Sequence, residues 1–295
     1  MEPRVLIVSP VRNEAAHIER VARALAAQEL QPARWIVVED ASTDGTLDLL
    51  RSLALEIPFM EVTEAGASPH AGARDRLARA AAPRNFNLGL AGVDWSQYTH
   101  VMKLDGDIEL EPHYLRVLLE RFAAEPRLGL AGGVLVEPMP DGGARRLMIP
   151  RHHVHGALKC YSRECFEAIG GVQERLAWDT IDEVYARMRG FDTVSFEDLV
   201  SVHHRLWGSA DGVIRGRVRL GECAYITHYP LSWVALRSVK LTFSPPHGLS
   251  GVAYLYGYIR AAARRIVRVE DTAYRRFTRR ELRGRMMRRL VPARG

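Results

Sequence analysis

The feature that most constrains this fold is a repeated pairing: a short apolar, β-branched run, then a turn, then a stretch with helical spacing. "RVLIVSP" (4–10) precedes "EAAHIERVARALAAQ" (14–28). "RWIVVED" (34–40) precedes "STDGTLDLLRSLA" (42–54), which opens on a Ser/Thr/Asp cap. "HVMKL" (100–104) precedes "PHYLRVLLERFAAE" (112–125), with Pro112 in the first turn. "PFMEVTE" (58–64) reads as a further strand. Buried strands alternating with helices predict an α/β fold, with a mostly parallel central sheet flanked by helices. Such sheets bind ligands off the carboxyl ends of their strands, which is where Asp40 and Asp105 fall.

Beyond Leu128 the pattern shortens. "LGLAGGVLVEP", "LMIP", "HGALKCYS" and "DTVSF" read as brief strands, with helices near 163–169 and 179–189. This part is expected to complete the same sheet. No linker separates the two parts, so one catalytic domain is expected over residues 1–229. A nucleotide-binding part would take about 1–110 and an acceptor part about 111–229. Residues 230–295 read as a basic, amphipathic helical tail.

Charge marks off that tail. Residues 256–295 hold thirteen arginines and three acids, net +10, which leaves about −4 for the first 255 of a chain whose total is +6. A main body of that sign is not a nucleic-acid binder. Cys160, Cys165 and Cys223 have no metal-ligand spacing and read as reduced thiols. The opening "MEPRVLIVSP" enters a strand at once, and no apolar run reaches the roughly 18 residues of a membrane span. The expected location is cytoplasmic. On a helical wheel of 251–268, Val252, Leu255, Tyr256, Ile259 and Ile266 fall opposite Arg260, Arg264, Arg265 and Arg268. That pattern suits either a peripheral helix on the inner face of a membrane or a helix packed on the catalytic domain.

The chemistry concentrates in "KLDGDIEL". Asp105 and Asp107 stand two apart at a strand exit, where carboxylates suit a hard divalent cation that keeps positions open for substrate phosphates. Alone, Asp-Gly-Asp is an ordinary turn. It occurs here with "VVEDASTDGT", "AWDTIDE" and "VHHR", all at strand ends or loops.

Together with "VSPVRNEAAHIERVARAL" and "FNLGL" (86–90), these segments resemble family 2 glycosyltransferases, inverting enzymes of the GT-A fold, over roughly residues 4–228. The resemblance implies a metal-dependent transfer of a sugar from a nucleoside-diphosphate sugar to a hydroxyl, with Mn²⁺ or Mg²⁺ as cofactor. The acceptor would be a cell-surface or lipid-linked glycan, which places the chain in polysaccharide biosynthesis. Asp107 would ligate the cation and Asp105 would contact ribose or metal. Asp40 would hold the base or ribose. Pro10, Arg12 and Glu14 would line the base pocket, and Arg84 joins this donor-binding set. Arg12 stands where the family often has an aromatic residue.

Counting back from Gly190-Phe191 places Asp179 as the base that deprotonates the acceptor, with Trp178 where the family has Glu. Asp182, one turn on, is the alternative base or a partner of Asp179. His203 and His204 are candidates for the metal shell; strand alternation sends one of them into the site and leaves open which. His152, His153 and His155 read as acceptor- or phosphate-facing. The loop "GASPHAGARDR" (66–76) reads as a mobile segment beside the diphosphate. Two rival functions are a nucleotidyltransferase, disfavoured because "SPVRNEAAH" lacks a Gly-rich phosphate loop, and a non-catalytic nucleotide-sugar binder held at a membrane.

Overall fold

The computed structural model describes residues 2–66, 80–139, 142–205 and 212–290. Two compact units emerge, residues 1–206 and 207–295. The predicted mobile loop, from Ala67 onward, lies outside the described residues.

The first unit is a nine-stranded sheet. β1 (Val5–Val11), β2 (Arg34–Glu39), β3 (Met60–Glu64) and β4 (His100–Leu104) are parallel, in the order β3-β2-β1-β4. The sheet continues through β8 (Leu158–Ser162), β6 (Leu128–Pro138), β9 (Asp192–His203) and β5 (Ile108–Leu110), and β7 (Ala144–Leu147) pairs with β6. β6 and β9 run with the first four strands; β5, β7 and β8 run against them. The sheet is therefore the mostly parallel one expected.

Helices α1 (Ile18–Ala26), α2 (Thr46–Glu56), α3 (Ala81–Leu90), α4 (Tyr114–Ala124), α5 (Arg163–Ile169) and α6 (Trp178–Met188) accompany it. Two apolar clusters use the two residue sets of the alternating strands. Val5, Ile7 and Trp35 belong to one, Leu6, Val8 and Ile36 to the other, so both faces of β1 and β2 are covered. α3 lies tight against this sheet. A side chain at Gly89 would come within 2.6 Å of Val8 and 2.9 Å of Val38, so only glycine lets the helix sit at that depth.

Three details differ from the sequence reading. "LMIP" is not a strand; β7 ends at Leu147, and Pro150 has no N–H for a ladder. "DTVSF" is only the first part of a longer, twelve-residue strand, β9. The three-residue β5, which immediately follows Asp107, carries too few residues to show a period.

The second unit is helical: α7 (Val213–Ile226), α8 (Leu231–Thr242), α9 (Leu249–Ala263) and α10 (Thr272–Leu290). The first unit thus closes at Leu206 rather than near Tyr229, because α7 belongs with α9. A side chain at Gly221 would strike the Tyr254 carbonyl at 2.0 Å, and one at Gly257 the Val218 carbonyl at 1.9 Å. These two glycines let the backbones of α7 and α9 approach, and Ala224, Val234, Tyr254 and Tyr258 form a buried cluster beside them. Residues 207–295 hold 18 Lys and Arg against five acids, net +13, leaving 23 against 30, net −7, for residues 1–206.

Candidate active site

β2, β1 and β4 are adjacent and parallel, so their carboxyl ends share one edge of the sheet. The segments that leave this edge bring Pro10, Arg12, Glu14, Asp40, Asp105 and Asp107 to one cleft of ≈ 210 Å³. All six were singled out from sequence. Asn85 and Arg205 also line it. From α3 the lining residues are Ala81, Ala82 and Asn85; Arg84 is on the same helix but is not among the lining residues.

Asp40 is buried, and its carboxylate accepts a hydrogen bond from Asn85 Nδ2 at 2.8 Å. Arg12 Nη1 donates to the Asp40 carbonyl at 3.0 Å. Asn85 was missed in the sequence; the nearby Asn87 instead donates to the Val172 carbonyl. The available signal was helical spacing, since Asn85 and Gly89 share the sheet-facing side of α3.

Asp105 accepts from the buried ammonium of Lys103, which also donates to the Gly156 carbonyl at 2.8 Å. Burial raises the Asp105 pKa above the ordinary carboxylate value despite that lysine. Asp107 behaves differently. Burial works against its charge, but His203 and Arg205 outweigh it and hold the pKa below the ordinary value. His203 Nε2 lies 3.5 Å and Arg205 Nε 3.7 Å from Asp107 Oδ2. Arg205 also donates to Glu14 Oε2 at 2.7 Å. Glu14 is raised to about 8, first by burial and then by the Asp107 charge, with Arg205 opposing.

The pairing of β5 with β9 sets Ile108 opposite His203, which explains how the histidine reaches Asp107. Its other nitrogen, Nδ1, is 3.2 Å from the buried Glu137, and Glu137 is in turn held by Arg145. A carboxylate fixing the far nitrogen of an imidazole is the arrangement that orients metal-ligating histidines. His204 points elsewhere: its Nε2 is 2.7 Å from Glu109 and its Nδ1 3.2 Å from Arg20. The predicted ligands Asp105, Asp107, His203 and His204 therefore do not converge as one shell. Among the described residues no group of three or more His, Cys, Asp or Glu is arranged to hold a metal ion. Asp107 with His203 fits a hard cation whose coordination is completed by substrate oxygens.

Asp179 is in the first turn of α6, next to the Lys103-bonded Gly156: a side chain at Gly156 would meet the Asp179 carboxylate at 3.4 Å. Trp178 lies between two buried lysines, its ring centroid 5.4 Å from each of Lys103 Nζ and Lys159 Nζ. Asp182 is not placed to act as a base. It is 2% exposed, and it accepts from Lys159 at 2.9 and 3.0 Å and from Tyr161 at 2.5 Å. One turn of helix carries it from Asp179's level into the interior. His153 belongs to the same buried network, 2.9 Å from Glu183, rather than to an acceptor surface. His152 contributes its carbonyl to Thr193 at 2.7 Å, and His155 Nε2 lies 3.3 Å from the Leu147 carbonyl.

The model of the Glycosyl transferase family 2 family matches residues 6–171. No curated protein sequence matches the chain. Solved structures share the fold at low identity. The mannosyltransferase PcManGT from Pyrobaculum calidifontis, in complex with GDP-Man and Mn²⁺, aligns at a TM-score of 0.56 and 18% identity, over 98% of this chain and 88% of that one. GalNAc-T7 with UDP, GalNAc and Mn²⁺ aligns at 0.57 and 12%, over 88% and 57%. S. aureus TarS aligns at 0.51 and 14% over 88% of this chain, which spans only 43% of the length of TarS.

Proposed function

The chain belongs to glycosyl transferase family 2 and has the GT-A fold, and from that premise we propose that it is an inverting, metal-dependent transferase of the sugar of a nucleoside-diphosphate sugar. The observation that carries this reading is the convergence of Asp40, Asp105, Asp107 and Glu14 on one cleft at the carboxyl edge of β1, β2 and β4. The nucleotide-sugars and Mn²⁺ in the related structures agree with it.

Asp40, oriented by Asn85, accepts a hydrogen bond from the base or ribose. Pro10 and Arg12 form the wall beside it, and the Arg12 guanidinium offers a plane for stacking. Asp105, neutralised in part by Lys103, is a ribose or cation contact. Asp107 and His203 would hold the divalent cation, Mn²⁺ or Mg²⁺, which supplies Lewis-acid stabilisation of the charge that grows on the leaving diphosphate. Asp179 takes the proton of the acceptor hydroxyl. The hydroxyl oxygen bonds to the anomeric carbon from the side opposite the diphosphate. The bond from that carbon to the β-phosphate oxygen breaks, and its electron pair leaves with the nucleoside diphosphate. The configuration inverts.

The acceptor in this reading is a hydroxyl of a cell-surface or lipid-linked glycan, met at the cytoplasmic face of a membrane. The exposed apolar residues of the second unit support that choice.

A thermal-shift screen of nucleotide-sugars with and without Mn²⁺ tests the donor assignment, since binding to the native state raises the melting temperature. One donor class is expected to stabilise the protein, and only with the metal. Asp179→Asn is expected to keep that shift and lower turnover by about 10²–10⁴-fold. Unchanged turnover would remove Asp179 from the mechanism. Pyrophosphate release from a nucleoside triphosphate would replace sugar transfer with nucleotidyl transfer.

A further inference from the structure

Large apolar side chains are exposed very unevenly. Among the described residues, those of 1–206 leave Leu55, Leu88 and Met148 exposed, whereas those of the much shorter second unit leave thirteen. Six of these flank the turn between α8 and α9: Leu236, Val239 and Phe243 on one side, Leu249, Val252 and Ile259 on the other, with Phe243 78% and Val252 63% exposed. The two helices pack together through other residues, with Gly251 of α9 against Ser238 and Thr242 of α8. Ser238 Oγ donates to the Gly251 carbonyl at 2.8 Å, and Val234 and Tyr254 are fully buried. The wheel sector of Val252, Leu255, Tyr256 and Ile259 is thus the outer side of α9. Gly251, Gly257 and Ala261 are buried on its inner side. Ile266 and the arginines from 264 onward follow the helix, which ends at Ala263. A soluble surface rarely leaves such residues grouped unless something covers them.

We propose that this α8–α9 face docks on an anionic lipid bilayer. Charge selects the occupant. The unit carries net +13, and Lys240, Arg264, Arg265, Arg275 and Arg276 are exposed beside or after the apolar residues. A second copy of this face would set +13 against +13, which opposes self-association. A bilayer of anionic lipid accepts both components: apolar side chains enter the acyl boundary while guanidinium and ammonium groups stay with the headgroups. The chain lies on the membrane and does not cross it with these helices, since no helix among the described residues is long and apolar enough to span. The proposal is independent of whether Asp179 is a base, and its test uses neither donor nor acceptor.

The full chain is floated with phosphatidylcholine vesicles and with vesicles containing phosphatidylglycerol, at low and high salt. It is expected to float with the anionic vesicles, less so at high salt, and to stay behind with phosphatidylcholine alone. Val239→Gln/Val252→Gln/Ile259→Gln, all at exposed positions, is expected to weaken partitioning by at least about tenfold with an unchanged circular dichroism spectrum. Arg264→Gln/Arg265→Gln is expected to weaken it less and to reduce the salt dependence. Failure of the wild-type chain to float with anionic vesicles overturns the proposal, as does undiminished flotation of the triple Gln variant. A solution dimer that the triple variant dissolves would assign the face to a second copy instead.

Discussion

Asp107 and Asp182 each belong to a close acidic pair in the sequence, but their surroundings are opposite. Asp182 and Glu183 are 2% exposed and meet Lys159, Tyr161, His153 and the Val154 amide at hydrogen-bonding distance. Their oxygens are fully employed, so neither has capacity for a substrate. Asp107 opens on the cleft and is approached by His203 and Arg205 only at 3.5 and 3.7 Å, too far for close hydrogen bonds. Its charge is kept in place but incompletely matched, which is the condition for receiving a ligand. A carboxylate whose partners are complete supports the fold, whereas one whose partners are incomplete is available for chemistry.

That contrast can be broken most forcefully at Lys159. Lys159→Met leaves the buried Asp182 and Glu183 without their shared cation and is expected to cost about 3–5 kcal/mol, read as a loss of denaturation midpoint. A cost below about 1 kcal/mol would show that the buried pair is not held as described. Asp107→Ala should do the reverse. Mn²⁺-dependent donor affinity is expected to fall on the order of 100-fold, while the melting temperature without ligand stays within about 2 °C. A large loss of stability would make Asp107 a structural residue like Asp182.

Glu137→Gln sharpens the same boundary from the other side. The residue is fully buried and reaches Asp107 through His203. Isothermal titration with Mn²⁺ in the presence of the donor is expected to show about 10–100-fold weaker metal binding. Equal affinity would separate His203 from the cation. The smallest effect concerns pH. Burial disfavours the charged His153 ring, but Glu183 outweighs it and raises the pKa above 6.5. This pairing therefore adds stability that is fully present below the unfolded-state value and is lost as pH rises through the folded one. The stability gap between wild type and His153→Gln should narrow as pH increases above 6.5. A gap that widens would reverse the sign assigned here.

Much of the layout was legible in sequence because strand and helix periods are local properties. β1, β2, β4, α5 and α6 fall within a residue or so of their expected limits. The cleft residues were legible for the same reason: in a parallel sheet, strand exits share one edge, so Asp40 and Asp105 had to be neighbours once the alternation was recognised. The roles of Asn85, Lys103 and Arg205 are set by Asp40, the Gly156 carbonyl and Glu14, which lie 45, 53 and 191 residues away; helical spacing gives the side of α3 on which Asn85 lies but not its partner. The first compact unit ends at residue 206, short of the 229 expected from sequence, since the approach of α7 to α9 through Gly221 and Gly257 is a long-range contact.

By itself, the order of residues determined the α/β alternation, the family, and a set of acids at strand ends. Only the tertiary structure separated Asp179 from Asp182 and His203 from His204. Each of those pairs is adjacent or one turn apart, so period alone allows either member. The choice was made by strand register and by which side chain found a buried counter-charge, and both are decided by parts of the chain far away in sequence.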